Sequence, residues 1–247
     1  MTGRVTVIGF GPGDRADMTE RAVQAIERAD VVTGYTTYVR ILEAQFPDKK
    51  YKATGMMKEV DRCPMAIEDA RQGLDVAMVS SGDSGIYGMA GIIYQLAEEL
   101  KAPIEIDVVP GVTAASAAAA ILGAPLMHDV ALISLSDLMT PLELIMKRVD
   151  CAGQADFVIC LYNPKSKGRP EYLAQAAAIL LKYHPAATPV GIVRDAGRPD
   201  MSRTITTLGE LKDADVDMFC TVVIGNSQTY VANGRMITPR GYPVRQE

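Results

Sequence analysis

Short apolar runs rich in β-branched residues recur along this chain of 247 residues and alternate with stretches of helical periodicity. In the first half, Val5–Gly9, Val76–Ser80 and Ile104–Val109 have the composition of buried strands, and Thr19–Ala29 has apolar residues at helical spacing. Strands that alternate with helices are typical of an α/β fold built on a parallel sheet. The first half therefore predicts such a sheet.

A breaker, Gly123-Ala124-Pro125, interrupts this alternation, and we expect a domain boundary there. The pattern restarts with the strand Val130–Leu135. It ends with three strand-like runs that have no long helix between them, namely Arg203–Thr207, Met218–Ile224 and Arg235–Thr238. The sequence predicts two α/β domains: residues 1–122 with a mainly parallel sheet, and residues 123–247 with a mixed sheet that includes antiparallel strands.

The charge and the cysteines narrow the possible partners. A net charge of −5 gives no general support for binding nucleic acid or an anionic membrane, so an anionic small substrate needs a local cluster of Arg and Lys. No apolar run approaches the ~20 residues that span a bilayer, and we see no signal peptide. The four cysteines form no C-x-x-C pair, and the two histidines lie far apart. We expect no bound metal and reduced thiols in a cytoplasmic protein.

A glycine-rich loop, Gly9–Asp14, follows the first strand and invites a dinucleotide-binding interpretation. Its spacing is G-x-G-x-G rather than G-x-G-x-x-G, and Pro12 removes a backbone N–H where a phosphate would need one. An NAD-dependent oxidoreductase is therefore kept only as the lowest-ranked alternative. A tight turn explains the glycines but not Asp14.

A second loop, Ser81–Gly85, contains Gly-Asp-Ser-Gly, which also surrounds the nucleophile of chymotrypsin-like proteases. Those enzymes are secreted β-barrels, whereas this chain alternates strands and helices, so we reject a serine hydrolase. The loop lies at the carboxyl end of a strand, where open α/β sheets bind ligands. Glycine frees backbone amides there, and Asp83 can accept hydrogen bonds from an amine or hydroxyl of a ligand.

Three further loops follow predicted strands. Pro110–Ser116 is rich in small residues, which allow close packing against a ligand or in a buried helix. Two basic clusters, Asn163–Arg169 and Arg194–Arg198, are each consistent with ordinary solvated charge. Because both follow strands of the second half, we favour a rim that faces an anionic ligand.

Together, these segments resemble a known family. Gly9–Asp14, Ser80–Gly88, Pro110–Ala114 and Leu161–Pro164 are similar, in the same order, to the tetrapyrrole (class III) methyltransferases. Within that family, the stretches from Ser81 to Gly88, Ile133 to Leu138, Tyr162 to Lys167 and Val193 to Arg198 resemble the precorrin-3B C17-methyltransferases. The resemblance covers essentially the whole chain.

The resemblance implies two α/β domains with the active cleft between them, a homodimer, and S-adenosylmethionine as the methyl donor. By position, the residues that it implies for the cofactor are Pro12, Ser81, Gly82, Asp83, Ile86, Tyr87, Thr113, Ala114, Asn163 and Ala196. The residues expected to pair with the carboxylates of an anionic tetrapyrrole are Lys167, Arg169, Arg194 and Arg198.

The implied reaction is methylation of precorrin-3B at C17 with ring contraction to precorrin-4, in cobalamin biosynthesis. Methyl transfer needs alignment and a dry pocket more than a protein nucleophile. A proton acceptor would assist the contraction, and Asp14, His128 and Lys165 are unranked candidates. The alternatives are the cobalt-containing equivalent (cobalt-factor III), another precorrin methyltransferase, a diphthine synthase, and a module that binds nucleoside or tetrapyrrole without catalysis.

Overall fold

A computed structural model describes residues 3–55 and 58–243 of the chain. The chain divides into two compact units, Met1–Ala114 and Ala115–Glu247. No helix in the described part of the chain is long and apolar enough to cross a membrane.

The first unit contains a five-stranded sheet. Its strands are β1 (Arg4–Gly9), β2 (Val31–Tyr35), β3 (Tyr51–Thr54), β4 (Asp75–Ser80) and β5 (Glu105–Val109). They are arranged in the order β3-β2-β4-β1-β5, and each neighbouring pair is parallel. The parallel sheet predicted for the first half is confirmed.

Helices cover both faces of this sheet. They are α1 (Glu20–Arg28), α2 (Thr36–Glu43), α3 (Glu59–Arg71) and α4 (Ala90–Glu99). Helices α1 and α2 pack on the face that carries Ile8, whereas α3 and α4 pack on the face that carries Val7. The chain thus leaves the adjacent strands β1 and β4 towards opposite faces, which opens a crevice at their carboxyl ends. In open α/β sheets, ligands bind in such a crevice.

The second unit contains a mixed sheet. Its strands are β6 (Gly123–Ala124), β7 (Val130–Ser134), β8 (Val158–Tyr162), β9 (Pro189–Arg194), β10 (Ser202–Thr207), β11 (Cys220–Ile224), β12 (Tyr230–Ala232) and β13 (Arg235–Ile237). The main sheet has the order β10-β9-β11-β8-β7, and β12-β13-β6 form a small separate sheet. Strands β7 and β8 are parallel, whereas β10 and β11 run antiparallel to β9. The mixed sheet is confirmed.

The remaining helices are α5 (Ala114–Leu122), α6 (Leu142–Gln154) and α7 (Tyr172–Leu180). Helices α6 and α7 pack on one face of the main sheet, while α5 packs on the other with Cys160 and Met236. The core of the second unit therefore includes a helix that precedes the breaker at Gly123.

Candidate functional site

The loops after β1 and β4 cross each other at two glycines. The N–H of Gly11 donates to the carbonyl of Gly82 at 3.0 Å, and the N–H of Gly82 donates back to the carbonyl of Gly11 at 2.7 Å. Both residues have a positive φ, +76° and +70°, which favours glycine. The pair fixes the mouth of the crevice between the two strands.

Asp83 joins two loops at this edge. Its Oδ1 accepts hydrogen bonds from the N–H groups of Gly85 and Ile86 at 2.8 and 3.1 Å, and its Oδ2 accepts from Gly111 at 3.0 Å. The sequence predicted that this carboxylate accepts from a ligand. In the structure it holds the loops after β4 and β5 together, and Oδ2 retains a free lone pair for one further donor.

Ser84 lies in the Gly-Asp-Ser-Gly stretch but is fully buried. Its hydroxyl lies 3.4 Å from the carbonyl oxygen of Val7 and 3.5 Å from that of Val109. A nucleophile must reach its substrate, so this geometry is incompatible with the serine-hydrolase interpretation that the sequence had already disfavoured. The hydroxyl instead joins strand ends.

The loop after β1 explains Asp14. The Asp14 carboxylate accepts from the N–H of Ala16 at 2.9 Å and caps a short 3₁₀ helix, Arg15–Asp17, while Pro12 is buried beside it. Helix α1 does not begin until Glu20. A dinucleotide fingerprint places the helix directly after the glycines, so the structure gives no support for NAD binding.

The other predicted cofactor residues of the first unit lie on the same edge. Ser81 and Ile86 are half-buried and Tyr87 is exposed, with a φ of +54°. Thr113 and Ala114 follow β5, and a Cβ added to Gly82 would lie within 4 Å of the backbone of both. The structure therefore brings the first-unit members of the predicted set together at the carboxyl ends of β1, β4 and β5.

At the carboxyl ends of β7 and β8, Asn163 joins two loops. It has a φ of +50°, and its side-chain amide donates to Ser134 Oγ at 3.0 Å. Lys165 is half-buried and Lys167 is exposed on the same loop. Ala196, after β9, packs against the cluster around α5. Because β9 runs in the same direction as β8, these residues share one edge of the sheet.

His128 lies elsewhere. It occupies the turn before β7, whereas Lys165 follows β8, and these two strands run parallel. Parallel strands have their amino ends at one edge and their carboxyl ends at the other. The two proposed proton acceptors of the second unit therefore lie at opposite edges of its sheet and are not brought together there.

The arginines predicted to bind substrate already have protein partners. Arg194 binds Asp217 at 2.6 Å and Asp215 at 3.2 Å, and Arg198 binds Asp195 at 3.0 Å. Beside Arg194, burial raises the pKa of the Cys220 thiol to about 11, which keeps it neutral near pH 7. These guanidinium groups stabilise the loops around β9, which leaves Lys167 as the exposed cation of the predicted set.

The side-chain contacts that hold these loops were not predicted from the sequence. Asp137 and Tyr172 are joined at 2.8 Å, Arg194 and Asp217 form an ion pair, and Tyr162 accepts a hydrogen bond from the N–H of Ala115 at 3.0 Å. Asp137 stood in a noted motif, but nothing in its spacing indicated a partner more than 30 residues away.

The comparisons with known proteins identify the family. The model of the tetrapyrrole (corrin/porphyrin) methylases matches residues 4–212. The chain belongs to this family of methylases.

Two relatives are similar over nearly their whole length. A protein of Salmonella typhimurium named probable cobalt-factor III C(17)-methyltransferase is 51% identical over 96% of this chain and 99% of its own. A Sinorhizobium protein named precorrin-3B C(17)-methyltransferase is 40% identical over 98% of each chain.

Solved structures agree with the fold. The crystal structure of the methyltransferase CobJ has a TM-score of 0.88 and 34% identity, and the match covers 96% of this chain and all of that chain. A uroporphyrin-III C-methyltransferase of Thermus thermophilus, complexed with S-adenosylhomocysteine, has a TM-score of 0.68 and 24% identity over 90% of this chain and 92% of its own. At that identity the second match shows the fold alone.

Proposed function

We propose that this chain transfers a methyl group from S-adenosylmethionine to C17 of a corrin-pathway tetrapyrrole and promotes contraction of the macrocycle. One observation carries the proposal: 51% identity to a C(17)-methyltransferase over essentially the full length of both chains. The residues from Ser81 to Gly88 lie in the loop after β4, and those from Ile133 to Leu138 span the end of β7 and the loop after it; both stretches carried the resemblance to this subfamily.

We propose that the cofactor binds at the carboxyl ends of β1 and β4. A Cβ on Gly111 would overlap the carbonyl oxygens of Gly82 and Gly9, so the backbone is closely packed at these strand ends. The free lone pair on Asp83 Oδ2 suits an ammonium group. When bound, S-adenosylmethionine supplies an electrophilic methyl group on a sulfonium.

We propose that the chain's residues mainly bind and orient. The backbone from Ser81 to Asp83, with Ile86, holds the amino-acid end and ribose of the cofactor. Thr113 and Ala114 bound the adenosine, and Pro12 lines the same site. Lys167 faces carboxylates of the tetrapyrrole, and Lys165, as a neutral amine, is the proton acceptor that shares an edge of the sheet with Lys167.

The names of the two relatives favour the cobalt-containing substrate. The relative at 51% identity is named for cobalt-factor III, and the one at 40% for precorrin-3B. We therefore propose cobalt-factor III as the preferred substrate and precorrin-3B as the second candidate. Either substrate presents the same carboxylate-rich rim to the protein.

Turnover tests the proposal directly. Purified protein is incubated anaerobically with S-adenosylmethionine and each of the two substrates, and the products are analysed by mass spectrometry. We expect each product to gain the mass of one CH₂ unit, with faster turnover of the cobalt form. Absence of methylation with both substrates, in protein that binds S-adenosylhomocysteine by calorimetry, would exclude this substrate class.

The assembly and compartment belong to the same proposal. We propose a cytoplasmic homodimer, as the family resemblance implies. The mass of one chain is 26.5 kDa, and size-exclusion chromatography with light scattering should give twice that mass. A monomer at micromolar concentration would contradict the dimer but not the methyl transfer.

A further inference from the structure

Two large apolar side chains project into solvent from the loop after β7. Met139 is 94% exposed and Leu138 is 66% exposed, the largest values among the exposed aliphatic side chains of the described residues. We call residues 135–140 the Leu138 loop. Adjacent exposed apolar side chains rimmed by polar residues are typical of a contact surface for a partner or ligand.

The Leu138 loop is held from beneath by the loop after β8. Arg169 donates from Nη1 to the carbonyl of Leu135 at 2.8 Å and from Nε to Ser166 Oγ at 3.1 Å, and its side chain is only 12% exposed. Tyr172 donates to Asp137 at 2.8 Å. These bonds anchor the base of the loop at Leu135 and Asp137, and its tip, Leu138 and Met139, faces solvent.

The residues beside Leu138 and Met139 indicate which ligand these two side chains contact. Arg169 and Ser166 connect the Leu138 loop to the segment that carries Lys165 and Lys167, so apolar side chains and cations share one edge of the sheet. A macrocycle with an apolar face and a rim of carboxylates complements both at once. A second copy of this chain would have to bring an acidic and apolar patch to the same place.

We propose that Leu138 and Met139 form the apolar platform that contacts the face of the tetrapyrrole, and that Arg169 is a positioning residue for this platform rather than a ligand of substrate carboxylates. The proposal rests on the proposed function, because it takes the tetrapyrrole as the substrate. It goes further by naming the side chains that contact the apolar face of the macrocycle.

The platform is tested with Leu138→Gln/Met139→Gln, since both positions are exposed and the fold should tolerate polar side chains. We expect KM for cobalt-factor III to rise about tenfold or more, with an unchanged dissociation constant for S-adenosylhomocysteine. The matched control is Leu181→Gln. Leu181 is 41% exposed and lies just after α7, which ends at the opposite edge of the sheet.

The role of Arg169 is tested by a double-mutant cycle. If Arg169 acts through the platform, Arg169→Ala raises KM in the wild type but adds little in the Leu138→Gln/Met139→Gln background. Additive effects would show instead that Arg169 contacts the substrate independently. Arg169→Ala should also speed amide hydrogen exchange in residues 135–140 without substrate.

The outcomes separate this inference from the proposed function. An unchanged KM in the double variant, with the wild type active, would overturn the platform and leave the methyl transfer intact. An unchanged KM with a shift from dimer to monomer would assign the pair to a second copy of the chain. An inactive wild type that binds S-adenosylhomocysteine would overturn the proposed substrate and the platform together.

Discussion

The Asp83 carboxylate accepts a hydrogen bond from the backbone N–H of Gly111 at 3.0 Å, so one side chain joins the loops that follow β4 and β5. The same carboxylate also fixes the turn at Gly85 and Ile86. A residue expected to touch the ligand thus shapes the loops that would surround the ligand. This relationship makes a stability effect and a binding effect inseparable at this position.

Asp83→Ala should therefore lower both stability and cofactor affinity. Loss of three charge-assisted hydrogen bonds at a half-buried site should reduce the free energy of unfolding by about 2–3 kcal/mol. The affinity for S-adenosylhomocysteine, measured by calorimetry, should fall about tenfold or more. Asp83→Asn retains one acceptor oxygen and should lose less of each.

Asp107→Asn is the matched control in the same sheet. Asp107 is exposed, and its ion pair with Arg21 is long, at 3.6 Å. The free energy of unfolding of the Asp107→Asn variant should change by no more than about 0.5 kcal/mol, with unchanged cofactor affinity. Full affinity in Asp83→Ala would refute the role of the carboxylate in shaping the site.

Gly111→Ala should disrupt the contact between the loops. The added Cβ would overlap the carbonyl oxygens of Gly82 and Gly9, which are backbone atoms that cannot rotate away. We expect thermal unfolding at a lower temperature, with a loss of about 1–3 kcal/mol, and weaker binding of S-adenosylhomocysteine. Gly91→Ala, near the start of α4, has open space around its Cβ and should be neutral or slightly stabilising. Equal effects of both changes would contradict the close packing at Gly111.

Charge removal should have different effects at Lys167 and Arg194. Lys167 is exposed, so Lys167→Ala should raise KM for the tetrapyrrole about tenfold while cofactor affinity stays the same. Arg194 binds Asp217 and Asp215, so Arg194→Ala should mainly lower stability, by about 1–2 kcal/mol after allowance for its partial exposure. Steady-state kinetics and denaturant unfolding separate the two effects. A loss of stability in the lysine variant that matches its loss of activity would indicate misfolding instead.

Thiol reactivity should single out Cys151, the one exposed cysteine among the described residues, since Cys63, Cys160 and Cys220 are buried. Burial raises the pKa of the Cys160 thiol to about 12, well above the pKa of an unfolded thiol. A thiol reagent at pH 8 should modify one cysteine in the native protein and all four after denaturation. Rapid native modification of all four would contradict the burial.

The pKa of Cys160 also predicts the sign of a pH effect. Because the folded-state pKa is raised, the contribution of Cys160 to stability is complete below about pH 9 and is lost as the pH rises towards 12. Cys160→Val should therefore lose less stability than the wild type between pH 9 and 11. A parallel decline of both proteins would assign the alkaline loss to other groups.

Strand positions were well predicted from the sequence because buried parallel strands are continuous apolar runs. Val5–Gly9 and Val76–Ser80 each fall within one residue of the observed strands, Arg4–Gly9 and Asp75–Ser80. Strand β3 was missed, since Tyr51–Thr54 is a short edge strand with little burial and no apolar run.

Helix starts were less predictable. A helix was expected from Ile86, but α4 begins at Ala90, because Tyr87 has a positive φ and the N–H of Ala90 bonds to the carbonyl of Ser84 in a turn. Helix α3 begins at Glu59, several residues before the predicted start at Ala66, since it accommodates Pro64 in its interior. Local propensity did not indicate either outcome, because tertiary packing decides both.

For the candidate site too, the sequence predicted some features and not others. The loops at strand ends were identified from glycine and proline spacing, and the structure places Gly82 against both Gly11 and Gly111. The partners of individual side chains were not predictable. Arg169 and Arg194 were expected to face substrate, but Arg169 donates to the carbonyl of Leu135 and Arg194 to Asp217, which lie more than 20 residues away along the chain.

The regiochemistry of methyl transfer tests the central claim most directly. Protein incubated with cobalt-factor III and S-adenosylmethionine labelled with carbon-13 at the methyl group yields a product that can be examined by NMR. We predict a single labelled methyl group at C17 of a contracted macrocycle. A label at any other carbon, or on an uncontracted ring, would contradict the assignment to the C17 step.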